Sequence, residues 1–174
     1  MNNNKILKLE IISFIFTLIF STVFHFLYEW TGECKLIAPF VPVNESVWEH
    51  GKLLFMPYLL FAVIEYFLIP DKHNYIFAKC LSLAISVPLM IILFYTYSGI
   101  LGFNVLLIDI AITFIIVFIM NYLSYNILIS DKTYKNNTVI VIAILFFIMF
   151  ILFTFFPPHI NLFLDTTDNT YGIK

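Results

Sequence analysis

The sequence predicts an all-α integral membrane protein, a bundle of about five transmembrane helices, on three observations. Hydrophobic residues make up 61% of the 174 residues and charged residues only 11%, whereas soluble domains carry roughly 25% charged residues. Five apolar stretches approach the roughly 20 residues that a helix needs to cross a hydrocarbon core, and open strands would leave backbone groups unpaired in lipid. A soluble enzyme, a disordered chain and a nucleic-acid binder are excluded, the last because nine lysines against eleven acidic residues form no basic face.

The spans are bounded by polar residues, glycine and proline. Within one transmembrane domain over residues 1–174 we predict spans at 7–28, 47–69, 75–97, 103–129 and 138–156. The breaks between them fall at 70–74, around Gly102 and at 130–137, where turn-forming residues cluster. The first stretch is interpreted as a retained helix and not a signal peptide, because no small-residue cleavage site follows it.

Lysine positions predict the orientation of the bundle. Six lysines flank span ends on the side of the N-terminus, namely Lys5, Lys8, Lys72, Lys79, Lys132 and Lys135. Three lie on the other side, namely Lys35, Lys52 and Lys174. The positive-inside rule then places the N-terminus inside and the C-terminus outside, with the lipid bilayer as the partner of a multi-pass protein.

Two outside connections are unusually apolar. The run 36–43 in the first loop is too short to span a membrane and too apolar for open water. We expect it to lie in the interface or to tuck into the bundle. After Pro157 and Pro158 the chain continues apolar before a polar tail. Both segments are interpreted as flaps over one mouth on the outer side.

Polar residues inside the spans follow helical stripes. The first span carries them at spacings of three and four, namely Glu10, Ser13, Thr17, Ser21, His25 and Glu29. The fourth span carries Asp109, Thr113, Asn121 and Tyr125. Such stripes are expected to face the bundle interior because ionisable groups in lipid are costly. We expect His25 and Asp109 to lie within about 10 Å of each other, in contact or bridged by water, and to line one cavity.

The segment Pro42 to His50 (PVNESVWEH) holds the densest cluster of polar residues. Ser46 and Glu49 predict a capping box at the start of the second span. Trp48 is expected to be an interfacial anchor, and Lys52 to extend its ammonium outward. Glu45 and Glu49 share a helical face beside His50, and carboxylates with imidazole can bind a divalent metal or perform acid–base chemistry. The zinc motif H-E-x-x-H is absent from the sequence.

These residues define the candidate site. Seven titratable residues are expected on the outer side, namely His25, Glu29, Glu45, Glu49, His50, Asp109 and His159. The ligand-binding candidates are His25, Glu29, Trp48, Asp109 and His159. The catalytic candidates are Glu45, Glu49 and His50. The candidates for holding a metal, with a divalent ion as the one cofactor suggested, are His25, Glu29, Glu49 and His50. On the other side, Glu10, Glu65 and His73 are interpreted as ordinary boundary charges beside lysines.

Several motifs together resemble a known type of protein. They are Phe24 to Trp30 (FHFLYEW), Pro42 to His50 (PVNESVWEH), Pro157 to Ile160 (PPHI) and Tyr171 to Ile173 (YGI). The combination resembles an uncharacterised family of small integral membrane proteins from Gram-positive anaerobic bacteria, a domain of unknown function. The resemblance covers essentially the whole chain and implies a bacterial plasma-membrane location. It implies no activity.

Three functions therefore stay open. The first is binding or transport of a cation or an amphiphilic small molecule through an outward-facing pocket of histidine, glutamate and aspartate. The second is a membrane-embedded enzyme that acts on a lipid or isoprenoid by acid–base or metal-assisted chemistry. The third is a structural or regulatory membrane subunit whose polar stripes serve assembly, and a homo-oligomer is compatible with each. No nucleic-acid partner is expected.

Overall fold

The computed structural model describes residues 3–69, 72–135 and 137–173. Within these residues the chain forms five helices, α1 (Asn3–Trp30), α2 (Val47–Leu68), α3 (Tyr75–Leu101), α4 (Leu106–Leu128) and α5 (Asn137–Phe155). A 3₁₀ turn (Asn161–Phe163) then leads into two short antiparallel strands, β1 (Leu164–Asp165) and β2 (Thr170–Tyr171). All five helices are long and apolar enough to cross a membrane, so the predicted helical membrane class is confirmed.

The first four helices form a ring, and α5 packs outside it. In this ring α1 contacts α2 and α4, and α3 contacts the same two helices from the opposite side. The fifth helix packs mainly against α3. Because successive helices alternate in direction, Asn3, Leu68, Tyr75, Leu128 and Asn137 end up on one side. We call this the N-terminal side, and the opposite side, which holds the first loop and the chain's tail, the far side.

The start of α2 is capped by the loop before it. Ser46 Oγ accepts a hydrogen bond from Glu49 N at 3.3 Å, which is one half of the predicted capping box. The other half is replaced, because Ser46 N donates to Asn44 Oδ1 at 2.9 Å. The Glu49 carboxylate instead accepts from Val43 N at 3.0 Å. The Glu49 carboxylate therefore does not cap its own helix and points into the bundle.

Trp48 is a core residue, and the expectation that it anchors the chain in the interface is wrong. Its ring is only 4% exposed and lies among four aromatic rings, those of Phe146, Phe150, Phe153 and Phe163. The reason is the position of α5 and the tail, which cover this face of α2. Trp30, by contrast, is 66% exposed at the end of α1, as an interfacial tryptophan would be.

The first loop and the tail close the far side together. Ala38 and Val41 are buried, so the apolar run tucks into the bundle at these residues, whereas Leu36 remains exposed. Asn44 Nδ2 donates to Gly172 O at 3.0 Å, and Glu45 N donates to Asp165 Oδ2 at 3.1 Å. The loop is therefore tied to the β-hairpin of the tail by hydrogen bonds that no local pattern in the sequence indicates.

Candidate functional site

Three ionisable side chains meet on the far side, from α1, the first loop and α2. One ligand atom from each of His25, Glu45 and His50 lies within 4.8 Å of the other two. Glu45 Oε1 is 3.9 Å from His25 Nε2, and Glu45 Oε2 is 3.5 Å from His50 Nε2. The two imidazole side chains are about one third exposed, at 29% and 35%, and the carboxylate is 54% exposed. The cluster is therefore open to solvent, and its ligand atoms are almost as close to one another as the ligand atoms around a bound metal ion.

A hydrogen bond at Nδ1 of His50 leaves its other ring nitrogen, Nε2, facing this cluster. His50 Nδ1 lies 2.9 Å from Ser46 O, and because a carbonyl can only accept, Nδ1 carries the proton. The lone pair is then on Nε2, which faces Glu45. A histidine that donates its second ring N–H to a backbone carbonyl is oriented as metal-ligating histidines are. His25 faces Glu45 with its Nε2 atom, and its buried Nδ1 has no hydrogen-bond partner in the described part of the chain.

Glu49, a catalytic and metal candidate by sequence, belongs to a separate buried group. Its Oε2 accepts from Lys52 Nζ at 2.6 Å, and both side chains are almost fully buried. Lys52 Nζ also contacts Thr154 Oγ1 at 2.6 Å, Ala38 O at 2.9 Å and Val41 O at 3.2 Å. The expectation that Lys52 extends outward is therefore wrong, because loop, α2 and α5 surround its ammonium with acceptors. This group joins three elements and faces no solvent.

Asp109 and His25 have different partners. The Asp109 carboxylate accepts a hydrogen bond from the hydroxyl of Tyr97 on α3. The same hydroxyl accepts from Val105 N at 3.3 Å, so it ties the 102–105 turn to both helices. His25 instead meets Glu45 and His50. Direct contact between His25 and Asp109, one of the expected arrangements, is not among the contacts of the described residues, and the Asp109 carboxylate contacts Tyr97 on α3 instead. The expected separation of about 10 Å or less, bridged by water, stays a prediction.

The remaining sequence candidates lie outside the cluster. Glu29, one turn after His25, is exposed, and its carboxylate is not one of the converging ligand atoms. His159 is exposed and packs against the Tyr171 ring with centroids 4.6 Å apart. Trp48 is held in the aromatic core described above. The structure therefore brings three of the seven titratable residues expected on this side into one group.

A second ionisable group, which sequence reasoning missed, lies inside the ring near its N-terminal side. Lys79 Nζ is 2.8 Å from Glu10 Oε1 and 2.6 Å from Glu65 Oε2, and all three residues are less than 5% exposed. Ser124 Oγ donates to Glu10 Oε1 at 2.6 Å. The Tyr75 hydroxyl, which donates to Ala62 O at 2.6 Å, lies 3.2 Å from Glu65 Oε2. All four ring helices contribute a side chain. The interpretation of Glu10 and Glu65 as boundary charges is wrong.

A signal for this group was present in the sequence. Glu10 begins the polar stripe of the first span, and Lys79 is the fifth residue of an apolar stretch that starts at Tyr75. Charges at such positions are expected to pair across helices, because a lone charge in lipid is costly. The partner of each charge still depended on which helices are neighbours in the ring.

Comparison with family models decides the affiliation of the chain. The model of a family of unknown function, DUF6512, matches residues 1–173. The chain belongs to this family. The expected membership in a family of unknown function, spanning the whole chain, is thereby confirmed. No curated protein and no solved structure matches the sequence.

Proposed function

We propose that this chain is a multi-pass plasma-membrane protein that binds a divalent transition-metal cation through His25, Glu45 and His50. The observation that carries the proposal is the convergence of three ligand atoms within 4.8 Å of one another, from three segments of the chain. Two imidazoles and one carboxylate are a donor set that suits Zn²⁺, whereas Mg²⁺ and Ca²⁺ prefer oxygen ligands alone.

The spacing of the three ligands suits a small ion after a modest movement. Tetrahedral zinc with bonds of about 2.0 Å holds its ligand atoms roughly 3.3 Å apart. His50 Nε2 and Glu45 Oε2 are already 3.5 Å apart, and the longer gap is to His25. Glu45 is half exposed and has room to turn toward both imidazoles, and a small movement of the imidazoles toward each other would complete the site. Three protein ligands leave a fourth position for water or a substrate atom.

The proposed orientation places this site on the outside of a bacterial plasma membrane. Lys52 and Lys79 are buried within the spans, so they carry no weight as loop charges. Of the other lysines that the structure describes, five lie toward the N-terminal side, namely Lys5, Lys8, Lys72, Lys132 and Lys135, and Lys35 lies toward the far side. Lys174, expected on the far side, falls outside the described residues. The positive-inside rule then favours a cytoplasmic N-terminus and an external cation site.

Cation binding is tested on the purified full chain in lipid nanodiscs, titrated with Zn²⁺ by calorimetry and checked by elemental analysis. We expect one equivalent per chain, and at least a tenfold loss of affinity in each of His25→Gln, Glu45→Gln and His50→Gln. Matched controls are Glu29→Gln and His159→Gln, which remove the same residue types from the same side of the membrane and are expected to bind as the wild type does. Equal affinity in all six proteins contradicts the proposal.

A second candidate function is metal-assisted chemistry on a lipid, and one feature favours it. The lining of an apolar groove of about 340 Å³ includes Phe24, the residue before His25. The other lining residues, from the first loop, α2 and α5, are Phe40, Met56, Leu59, Leu60, Val63 and Phe147. Such a groove has the size and the lining to hold an acyl or isoprenoid chain. Mass spectrometry of lipids incubated with zinc-loaded protein and with His50→Gln tests for a product.

A further inference from the structure

We infer that Glu10, Glu65 and Lys79 form an intramembrane proton-binding site that carries one proton on its carboxyl pair and exchanges it with water on the N-terminal side. This site is separate from the cation site and its existence does not depend on metal binding. Two acidic side chains and one basic side chain lie together here, all less than 5% exposed. Full ionisation would leave a net negative charge inside the hydrocarbon region, which is strongly unfavourable.

The geometry shows where the proton would reside. Lys79 Nζ contacts Oε1 of Glu10 and Oε2 of Glu65, so each carboxylate uses one oxygen for the ammonium. The second oxygen of each, Glu10 Oε2 and Glu65 Oε1, is buried and has no hydrogen-bond partner among the described residues. Glu49 Oε1 shares this feature, so it is the excess negative charge of the Glu10 group, and not the missing hydrogen bond, that calls for a proton. A proton on either oxygen removes the excess charge at the same point.

The Glu49–Lys52 pair provides a comparison within the same molecule. It holds one carboxylate and one ammonium, 2.6 Å apart and both buried, so its charges cancel without a proton. The Glu10 group has the same kind of ion pair plus one further carboxylate. When two carboxylates share a site, one of them holds a proton far more readily than an isolated acid does. Of these two groups, the Glu10–Glu65–Lys79 group therefore requires a proton and the Glu49–Lys52 pair does not.

The groups that face this site come from each helix of the ring. Glu10 belongs to α1, Glu65 and Tyr58 to α2, and Lys79 and Tyr75 to α3. From α4 the contact is the hydroxyl of Ser124. The Tyr58 ring lies 5.2 Å from Lys79 Nζ. In this group only the two carboxylates can accept a proton near neutral pH.

The position of the site favours exchange with the N-terminal side. Glu65 is three residues before the end of α2, and Lys79 is four residues after the start of α3. Glu10 is seven residues after the start of α1. At 1.5 Å per residue the three groups therefore lie about 5 to 10 Å from the helix ends on this side. Between the site and the helix ends lies an apolar cluster, made of Ile6, Leu9, Ile69, Tyr75, Ala78, Ile127 and Leu128. A small separation of the helix ends would therefore admit water, whereas the path to the far side is most of the bundle's length.

Infrared spectroscopy of the full chain in liposomes tests this inference. A protonated carboxyl has a carbonyl stretching band that carboxylates lack and that shifts in heavy water. We expect one such band in the wild type at neutral pH, which fades as the pH is raised. Glu10→Gln and Glu65→Gln are each expected to abolish it, since Lys79 then neutralises the remaining carboxylate. Glu49→Gln and Asp109→Asn are matched controls for other carboxyls in the spans, and both are expected to keep the band.

Each opposing result overturns the inference. Absence of the band from wild-type protein at neutral pH, with its helix content intact, shows that both acids are ionised. Persistence of the band in both Glu10→Gln and Glu65→Gln places the proton elsewhere. A thermal stability that rises with sodium in the wild type but not in Glu65→Gln, together with the missing band, identifies the occupant as a metal cation. Whether the wild-type protein holds a protonated carboxyl is decided by the wild-type spectrum alone, even if a variant fails to fold.

Discussion

Lys52 on α2 lies 2.6 Å from the Thr154 hydroxyl on α5, at a point where the first loop also supplies two carbonyl acceptors. One buried ammonium thus connects the second helix, the fifth helix and the loop that precedes the capped start of α2. Its charge is balanced by Glu49 three residues earlier. We therefore expect the stability of the far side to depend on this group.

Removing the charge of Lys52 is expected to be severely destabilising. Lys52→Met leaves the Glu49 carboxylate buried and unpaired, and breaking one partner of a buried pair costs about 3–5 kcal/mol. Glu49→Gln is expected to cost less, because its amide oxygen can still accept from Val43 N and Lys52. Thermal denaturation of the detergent-solubilised variants checks the order. Comparable losses, or a larger loss for Glu49→Gln, contradict this explanation.

The two tryptophans are expected to differ sharply. Trp48→Ala opens a cavity among four phenylalanine rings, and truncation of a buried tryptophan costs on the order of 3 kcal/mol. Trp30→Ala removes a ring that is 66% exposed and is expected to change stability by less than about 0.5 kcal/mol. The same denaturation assay measures both. Similar effects for the two variants exclude a core role for Trp48.

Gly51 is expected to be required for the contact between α2 and α5. A Cβ at this position would lie 3.0 Å from the ring of Phe150, which is fully buried. Gly51→Ala therefore forces the ring aside, and overpacking of this kind costs about 1–3 kcal/mol. Gly99→Ala is the matched control, because no atom lies within 4 Å of a Cβ there. The control is expected to be neutral or stabilising, since alanine is the better helix former.

Zinc affinity at the proposed cation site is expected to fall steeply as the pH is lowered through the range in which imidazole takes up a proton. Both His25 and His50 must be neutral to donate a lone pair, so two protons compete with the metal. Calorimetric titration at several pH values in nanodiscs gives the slope. For His159→Gln we expect an unchanged pH dependence. A pH-independent affinity contradicts ligation by the two histidines.

The orientation is checked by cysteine labelling in intact cells, in a background without Cys34 and Cys80. Thr166→Cys, exposed in the tail, is expected to react with a membrane-impermeant reagent. Lys132→Cys, exposed between α4 and α5, is expected to react only after the membrane is opened. The reverse pattern would place the cation site in the cytoplasm.

The sequence indicates the two histidines of the site more clearly than it indicates Glu45. The sequence indicates His25 and His50 because each lies near the end of an apolar span, where a titratable side chain is energetically costly and is therefore a candidate for a functional role. Helical spacing predicts that Glu45 and Glu49 share a face, yet the structure separates the two side chains. Glu45 precedes the cap of α2 and stays in the loop, whereas Glu49 is within the helix and meets Lys52. A shared helical face applies only to residues that are both helical.

The number, type and approximate limits of the helices follow from the sequence by itself. They depend on local hydropathy and on the need to pair every backbone group within the membrane, which neighbouring helices do not alter. The partners of the charges depended on tertiary structure. Lys79 is the clearest case, because its position suggested a loop lysine until the ring brought Glu10 and Glu65 to it. Hydropathy records the cost of burying a charge, whereas the neighbours that offset this cost are set by helix packing, which joins residues far apart in the chain.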